Sequence, residues 1–323
     1  MTDGDTATMR YRPLGSSGLM VSVVGLGTNN VGRRLDVDAT RAVVDAALDA
    51  GITLFDTADI YGDGASETLL GEVVEGRRDR VVLATKFGMD MHGSNGQDHG
   101  ARGSRRYIRR AIDASLARLR TDHVDLYQYH APDGITPIEE TLAALDELVT
   151  EGKVRYVGPS NLGAWQVVEA DWIARRDRRE RFVSAQNEYS LLERGIEAEL
   201  APACESYGVS ILPYFPLASG LLTGKYRRDL PRPTGTRLEG RDGVFTDAAF
   251  DRIEALAGFA QARGVSMLDV AIGGLAAQPA VASVIAGAMS PGQVRANAAA
   301  GLWEPTADDL AELDRVAPTA RRS

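Results

Sequence analysis

A chain of 323 residues with 44% hydrophobic and 25% charged side chains has globular proportions and enough length for a large core, which excludes a disordered chain. Its 36 basic residues face 45 acidic ones, and a formal charge of −9 argues against nucleic acid as a partner. The longest apolar runs, such as 81–84 and 281–286, are strand-sized, so neither a membrane span nor a membrane partner is expected.

The opening MTDGDTATMR is polar and acidic, without the apolar stretch behind a basic start that marks a secretory signal. Residues 1–8 are expected to be a disordered tail and 9–323 a single domain. The lone Cys204 excludes an internal disulfide and fits a reducing, cytoplasmic compartment; its expected place is buried on a helix. Residues 11–14 and 19–22, around a Ser-Ser-Gly turn, read as a hairpin able to plug a barrel bottom. Strand-like and helix-like segments then alternate, the signature of βαβ units around a parallel sheet. Eight short apolar strands are predicted at 21–25, 52–56, 81–86, 124–129, 156–159, 183–186, 210–214 and 283–286. Helices are predicted at 38–50, 66–74, 104–119, 137–150, 164–174, 195–207, 247–263 and 291–300, with an extra one at 307–316. Ser66, Ser104 and Pro137 supply start signals, and Gly51, Gly152, Gly208 and Gly264 supply stops. With no linker dividing them, these elements predict an α/β fold, a (β/α)8 TIM barrel with an N-terminal hairpin plug and a C-terminal extra helix.

Two loops, 88–103 and 226–245, are long enough to suggest use, and both follow strands at the end where barrels place their sites. The basic runs 102–110 and 175–181 read as solvated helix faces. His92 and His99 lack metal-ligand spacing, and no metal is expected.

Asp56 ends the second strand, Lys86 the third, and His130 follows the fourth, while Tyr61 lies five residues beyond Asp56. Each alone suits a turn, a solvated surface or a satisfied core. A closed barrel brings all four to one mouth. There an ammonium at Lys86 favours the phenolate form of Tyr61 and lowers its pKa from ~10. Asp56 would keep Lys86 charged despite burial. His130 then orients a substrate oxygen or shares the proton with Tyr61. Such a device polarises a carbonyl beside a hydride donor.

The stretch Leu54-Phe55-Asp56-Thr57-Ala58-Asp59-Ile60-Tyr61-Gly62, with Ser66-Glu67 and Leu70-Gly71 behind it, resembles the first signature of the aldo-keto reductases. Ala84-Thr85-Lys86 and Asp125-Leu126-Tyr127-Gln128-Tyr129-His130 resemble their lysine and histidine motifs. Gly158-Pro159-Ser160-Asn161, Gln186-Asn187-Glu188-Tyr189, the run from Tyr214 to Lys225 and Ala286-Gly287-Ala288 through Asn297 follow in order, so the likeness extends from Tyr11 to Val316. It is nearest to the bacterial branch similar to the β subunits of potassium channels.

The resemblance implies that Tyr61 is the general acid or base, Lys86 its tuner, Asp56 the partner of that lysine, and His130 the group orienting the carbonyl. It implies a nicotinamide cofactor, NADP(H) by family habit with NAD(H) as the alternative, and a small carbonyl or alcohol substrate. Ser160, Asn161 and Gln186 would hold the carboxamide, and Tyr214 would stack on the ring. Phe215, Pro216, Leu217, Ala218 and Gly220 would wrap the pyrophosphate, with charge from Lys225. Gly287, Met289, Ser290, Gln293 and Asn297 would meet the adenosine end at a helix N-terminus.

Two positions depart from the family. Pro159 replaces a residue with an N–H, and Met289 stands where many relatives carry a polar or cationic group near the 2′-phosphate; Arg237 or Arg295 could supply that cation. The Gly25-Leu26-Gly27 stretch imitates a G-x-G-x-x-G fingerprint, but Asn30 occupies the third glycine. Thr28 and Asn29 are expected to approach cofactor or substrate instead.

The reading is an oxidoreductase reducing aldehydes or ketones. The alternatives are a cofactor-binding regulatory subunit with little turnover and a Schiff-base aldolase using Lys86. Channel subunits carry Asn in place of His130, which favours the enzyme. The pocket walls are expected from 88–103, 226–245, Asn29, Asn30 and Trp165; the polar loop 88–103 hints at a sugar or polyol. A homo-oligomer is compatible with all of this.

Overall fold

The computed structural model describes residues 8–319. The disordered tail expected over 1–8 lies outside the described residues except for Thr8.

The hairpin is β1 (Tyr11–Pro13) with β2 (Met20–Ser22), paired antiparallel. It is followed by β3 (Val24–Gly27), α1 (Val37–Asp49), β4 (Leu54–Asp56), α2 (Ala65–Val74), β5 (Val82–Phe87), α3 (Arg105–Leu119) and β6 (Val124–Tyr129). Next come α4 (Ile138–Thr150), β7 (Val154–Pro159), α5 (Ala164–Asp177), β8 (Ser184–Glu188), α6 (Leu200–Tyr207) and β9 (Ser210–Tyr214). The chain ends with α7 (Asp247–Ala262), α8 (Met267–Ala276), β10 (Val284–Gly287), α9 (Pro291–Ala300) and α10 (Ala307–Val316).

Regular ladders join β10, β3, β4, β5, β6 and β7 in that order, all parallel, and join β8 to β9. Isolated parallel bridges close both seams: Val157 with Phe182 and Ser160 with Gln186 on one side, Ile211 with Val281 on the other. The ring of eight is the predicted (β/α)8 barrel. Its interior holds Leu54, Ala84, Leu126, Leu212, Ala282 and Ile285, and from the hairpin Leu14 and Val21 fill the bottom of the same cluster. Gly15 makes that docking possible. It adopts a left-handed φ of +57°, and a Cβ there would stand 2.2 Å from the Val183 carbonyl oxygen.

Three elements differ most from expectation. The first barrel strand begins at Val24 rather than at 21, because Val21 belongs to the plug. The helix predicted over 195–207 breaks at Glu199, and α6 restarts two residues ahead of Pro202, whose missing N–H belongs in a first turn. Helix α8 was not predicted: Met-Leu-Asp-Val-Ala-Ile-Gly-Gly-Leu-Ala is apolar on every side, so it has no 3.6-residue stripe. Its readable signal is the capping box, Ser266 accepting from the Asp269 N–H while Asp269 accepts from the Ser266 N–H.

The extra helix α10 is pinned outside the barrel, where Arg263 pairs with Asp309 and the buried Arg194 with Asp314. The two basic runs are occupied by ion pairs: Arg102 with Asp98, Arg105 with Glu147, and Arg175 and Arg181 with Asp171. Cys204 is buried on α6, and burial pushes its thiol up to about 12. Among the described residues no helix is long and apolar enough to cross a membrane, and no cluster of acidic, His or Cys side chains is placed to hold a metal.

Candidate active site

Strand alternation builds the site. Leu54, Ala84 and Leu126 face the barrel interior, so two residues on, Asp56, Lys86 and Gln128 face it too, one layer nearer the carboxyl ends. Lys86 and Gln128 are register partners on β5 and β6. Gln186, two residues past Ser184 on β8, completes the layer.

Lys86 is fully buried, and its Nζ donates to Asp56 Oδ2 at 2.7 Å, to the Thr57 carbonyl at 2.7 Å and to Tyr61 Oη at 3.4 Å. The other carboxylate oxygen of Asp56 accepts from Gln186 Nε2 at 2.8 Å and Gln128 Nε2 at 3.1 Å. Burial opposes the charge on Lys86, but Asp56 and Tyr61 outweigh it, and its pKa stands above the ordinary lysine value. A lysine so held stays protonated, which removes the nucleophile that a Schiff-base aldolase requires.

Burial raises the pKa of Tyr61, and the opposing pull of Lys86 only partly offsets this. The net lowering expected from the sequence is therefore reversed: desolvation of the phenolate exceeds the gain from one ammonium that is already neutralised by Asp56. The Tyr61 and His130 rings meet edge to face with centroids 6.1 Å apart. Burial, then the charge of Lys86, lowers the His130 pKa to about 3, so the imidazole is neutral; its Nδ1 is buried without a partner among the described residues.

Tyr61, His130 and Asp56 open on one cleft of about 810 Å³. Ser160, Asn161, Gln186 and Tyr214 line its wall, and Phe215, Pro216, Leu217, Gly220 and Lys225 continue it. Gly287, Met289, Gln293 and Asn297 line the far end, and Asn29 and Arg237 reach in from two loops. Four expected residues stand outside the lining, among them Ser290, whose hydroxyl caps α9 by accepting from the Gln293 N–H. Lys86 lies behind Asp56, Thr28 is buried with its hydroxyl donating to the Asp56 carbonyl at 2.9 Å, and Ala218 faces elsewhere in its turn. Pro159 leaves the site intact, since the Ser160 N–H still donates to the Tyr129 carbonyl at 2.7 Å.

The walls differ from expectation in two places. No residue of 88–103 lines the cleft, and Trp165 is exposed away from it. The first loop is held down by its own anchors: Asn95 donates to Asp59 Oδ2, and Arg102 pairs with Asp98 and Asp90. The hint of a sugar therefore loses the loop on which it stood. Loop 226–245 lines the cleft as expected, through Gly235, Thr236 and Arg237, whereas Arg34 and Leu268 line it from outside the expected walls. Leu268 sits on the unpredicted α8. Gln128 joins the site although its motif points only to His130; its readable signal is the inward position two residues past Leu126.

The anchor for loop 88–103 carries its own pH dependence. Burial, reinforced by Glu67, raises the Asp59 carboxyl to about 8, and its Oδ1, Asn95 Oδ1 and Tyr127 Oη are buried without partners among the described residues. Between an unfolded value of ~4 and about 8 the folded state holds a proton that the unfolded state has lost. Stability therefore falls as pH rises across that window, by at most ~1.4 kcal/mol per unit. Urea unfolding at about pH 5 and about pH 8 is expected to show this loss in the wild type and a smaller one in Asp59→Asn; equal losses would refute the assignment.

Fold and site together define a barrel oxidoreductase, a (β/α)8 ring whose carboxyl-end mouth joins a buried Asp–Lys–Tyr chain to one elongated cleft. Residues 23–318 match the model described as "Aldo/keto reductase family", and the chain belongs to that family. It is 38% identical to the "Uncharacterized oxidoreductase YrpG" of Bacillus subtilis, with 89% of each chain covered. It is 36% identical to a "Probable voltage-gated potassium channel subunit beta" of rice, Oryza sativa, over 90% of each. The "L-glyceraldehyde 3-phosphate reductase" of Escherichia coli is 34% identical, over 90% of this chain and 86% of its own. The family uses nicotinamide cofactors and acts on small molecules.

Proposed function

We propose that this protein is an NADP(H)-dependent reductase of aldehydes or ketones, with NAD(H) as the alternative nucleotide, acting as a single-domain cytoplasmic enzyme with Tyr61 as the general acid and base. The observation that carries the reading is a neutral phenol 3.4 Å from an ammonium that a carboxylate keeps charged, at the wall of a cleft large enough for a dinucleotide.

The donor set fits the cofactor. Gln186 directs its amide hydrogens to Asp56 and Gln128, which leaves its Oε1 to accept from a carboxamide. Tyr214 donates to Asn161 Oδ1 at 2.8 Å, fixing the ring and the amide against each other beside the cleft. Phe215, Ala218, Ser219 and Gly220 all take left-handed φ, and this turn, with Lys225 beside it, forms a concave backbone of the kind that holds phosphate. At the far end α9 presents its N-terminus, with Ser290 as cap, to the adenosine phosphate. Arg237 does not serve that end: it donates to Asn29 and covers the Phe215 ring, near Tyr61.

When bound, the nicotinamide supplies or takes up a hydride at the carbonyl carbon. Tyr61 gives its proton to the carbonyl oxygen and recovers it in the reverse direction. Lys86 limits the cost of the transient phenolate, Asp56 holds Lys86 in place, and the neutral His130 orients the oxygen without competing for charge.

Titrating the protein with NADPH and with NADH by fluorescence, then following nucleotide absorbance over a panel of aldehydes and ketones, tests the reading. Tight NADPH binding with turnover is expected. Binding without turnover anywhere on the panel would favour the cofactor-binding regulatory subunit instead.

A further inference from the structure

The outer side of α5 carries a stripe that the barrel does not use. Val167, Ala170, Asp171 and Ala174, at the spacing of one helical face, are buried against the rest of the molecule. On the opposite face, at i, i+4, i+7 and i+11, stand Trp165, Glu169, Trp172 and Arg176. Trp165 and Trp172 are 68% and 62% exposed, the highest values among the large hydrophobic side chains described. A solvated helix face is ordinarily polar, and large aromatic side chains are ordinarily covered. Trp172 is also held in place: its Nε1 donates to Tyr207 Oη on α6 at 3.0 Å, so its one polar atom is satisfied within the chain while the ring stays open to solvent.

The charges of the stripe are unspent. Glu169 has no hydrogen bond or ion pair from its side chain among the described residues, and neither has Arg178, the left-handed cap of α5. Arg176 pairs only with its chain neighbour Asp177, which Arg179 also approaches at 3.7 Å. An exposed pair of that kind is worth little, so Arg176 can exchange it for another carboxylate.

This order of groups is its own complement. Two copies of α5 laid antiparallel about a two-fold axis bring residue i of one toward residue j of the other with i + j constant. With the axis passing beside Trp172, the two Trp172 rings meet at the centre and Glu169 of each copy faces the partner's Arg176. Trp165 then reaches past the end of the opposite helix toward the partner's Arg178, a cation over an aromatic face. A purely acidic partner would leave Glu169 opposed, and a purely basic one would oppose Arg176, whereas a second copy satisfies both.

We propose that the outer face of α5 is the two-fold contact of a homodimer of this chain. The two indoles supply roughly 250 Å² per subunit of the ~800 Å² that a standard interface covers, so the flanks of α5 supply the rest and association falls in the micromolar range.

Sedimentation equilibrium from about 1 to about 200 μM protein is the test. The wild type should move from the mass of one chain, 34.6 kDa, toward twice that value. Glu169→Arg and Arg176→Glu each set like charges across the axis and should weaken the dimer by about tenfold or more, whereas the doubly reversed protein should regain it. Trp172→Ala should leave a monomer. Because that variant also loses the bond to Tyr207, the charge reversals, both at exposed positions, serve as the test that does not disturb the fold. A wild type that stays monomeric at the highest concentration would overturn the proposal. So would a dimer indifferent to both charge reversals, or a doubly reversed protein that remains apart. None of these measurements involves nucleotide or turnover, so the outcome is independent of the reductase reading.

Discussion

Tyr61→Phe is expected to lower kcat for carbonyl reduction by roughly 10²–10⁴-fold, the usual contribution of a positioned proton donor, with little change in NADPH affinity. The substitution is a clean one. Phenylalanine keeps the ring over which Lys86 Nζ lies, 5.0 Å from its centroid, and the edge-to-face contact with His130. Only the longest of the three Lys86 hydrogen bonds is lost, so thermal unfolding should move little. The pH profile carries a second signature. With the Tyr61 pKa above its ordinary value, the reductive rate should fall only when the phenol ionises in strong alkali, and the oxidative rate should rise there. His130, held to about 3, should add no step through the neutral range where a free histidine near ~6.5 would titrate. Full turnover by the phenylalanine variant, or a step near neutrality that vanishes in a His130 variant, would end the assignment.

Lys86→Met should affect the fold as much as the chemistry. Methionine fills the space of the stem but leaves Asp56, 2% exposed, without its counter-charge. Breaking a buried pair from one side costs about 3–5 kcal/mol. Urea unfolding at neutral pH is expected to show a loss of that size. Lys86→Met combined with Asp56→Asn removes both charges while keeping an amide beside Gln128 and Gln186. It should regain most of the stability and none of the turnover. If the double variant is no more stable than the single one, the pair is not what holds this layer together.

The outline of the fold was legible in the chain because its strands are buried on both faces and its outer helices carry one apolar stripe each. Those periods survive in sequence, and eight strands of that type, with helices between them, leave few arrangements. Helix α8 was illegible for the opposite reason: eight of its ten residues are buried, and it has no period to read. Asp56, Tyr61, Lys86 and His130 were legible because each falls at or just beyond a strand end, and a barrel has only one mouth for such ends.

Sequence by itself determined which reactive groups share the mouth, since strand alternation and connection order are local properties of the chain. What the tertiary structure alone decided was their electrostatics and their walls. Whether Tyr61 titrates above or below an ordinary phenol depends on a balance between desolvation and one paired charge, and neither has a magnitude until the burial is known. Whether a loop reaches the cleft depends on anchors distant in sequence: Asn95 on Asp59 turns loop 88–103 away, and the Gly235 carbonyl draws Arg34 to the rim. Alternation acts between neighbours along a strand, whereas burial and long-range pairing come into being only when the ring has closed.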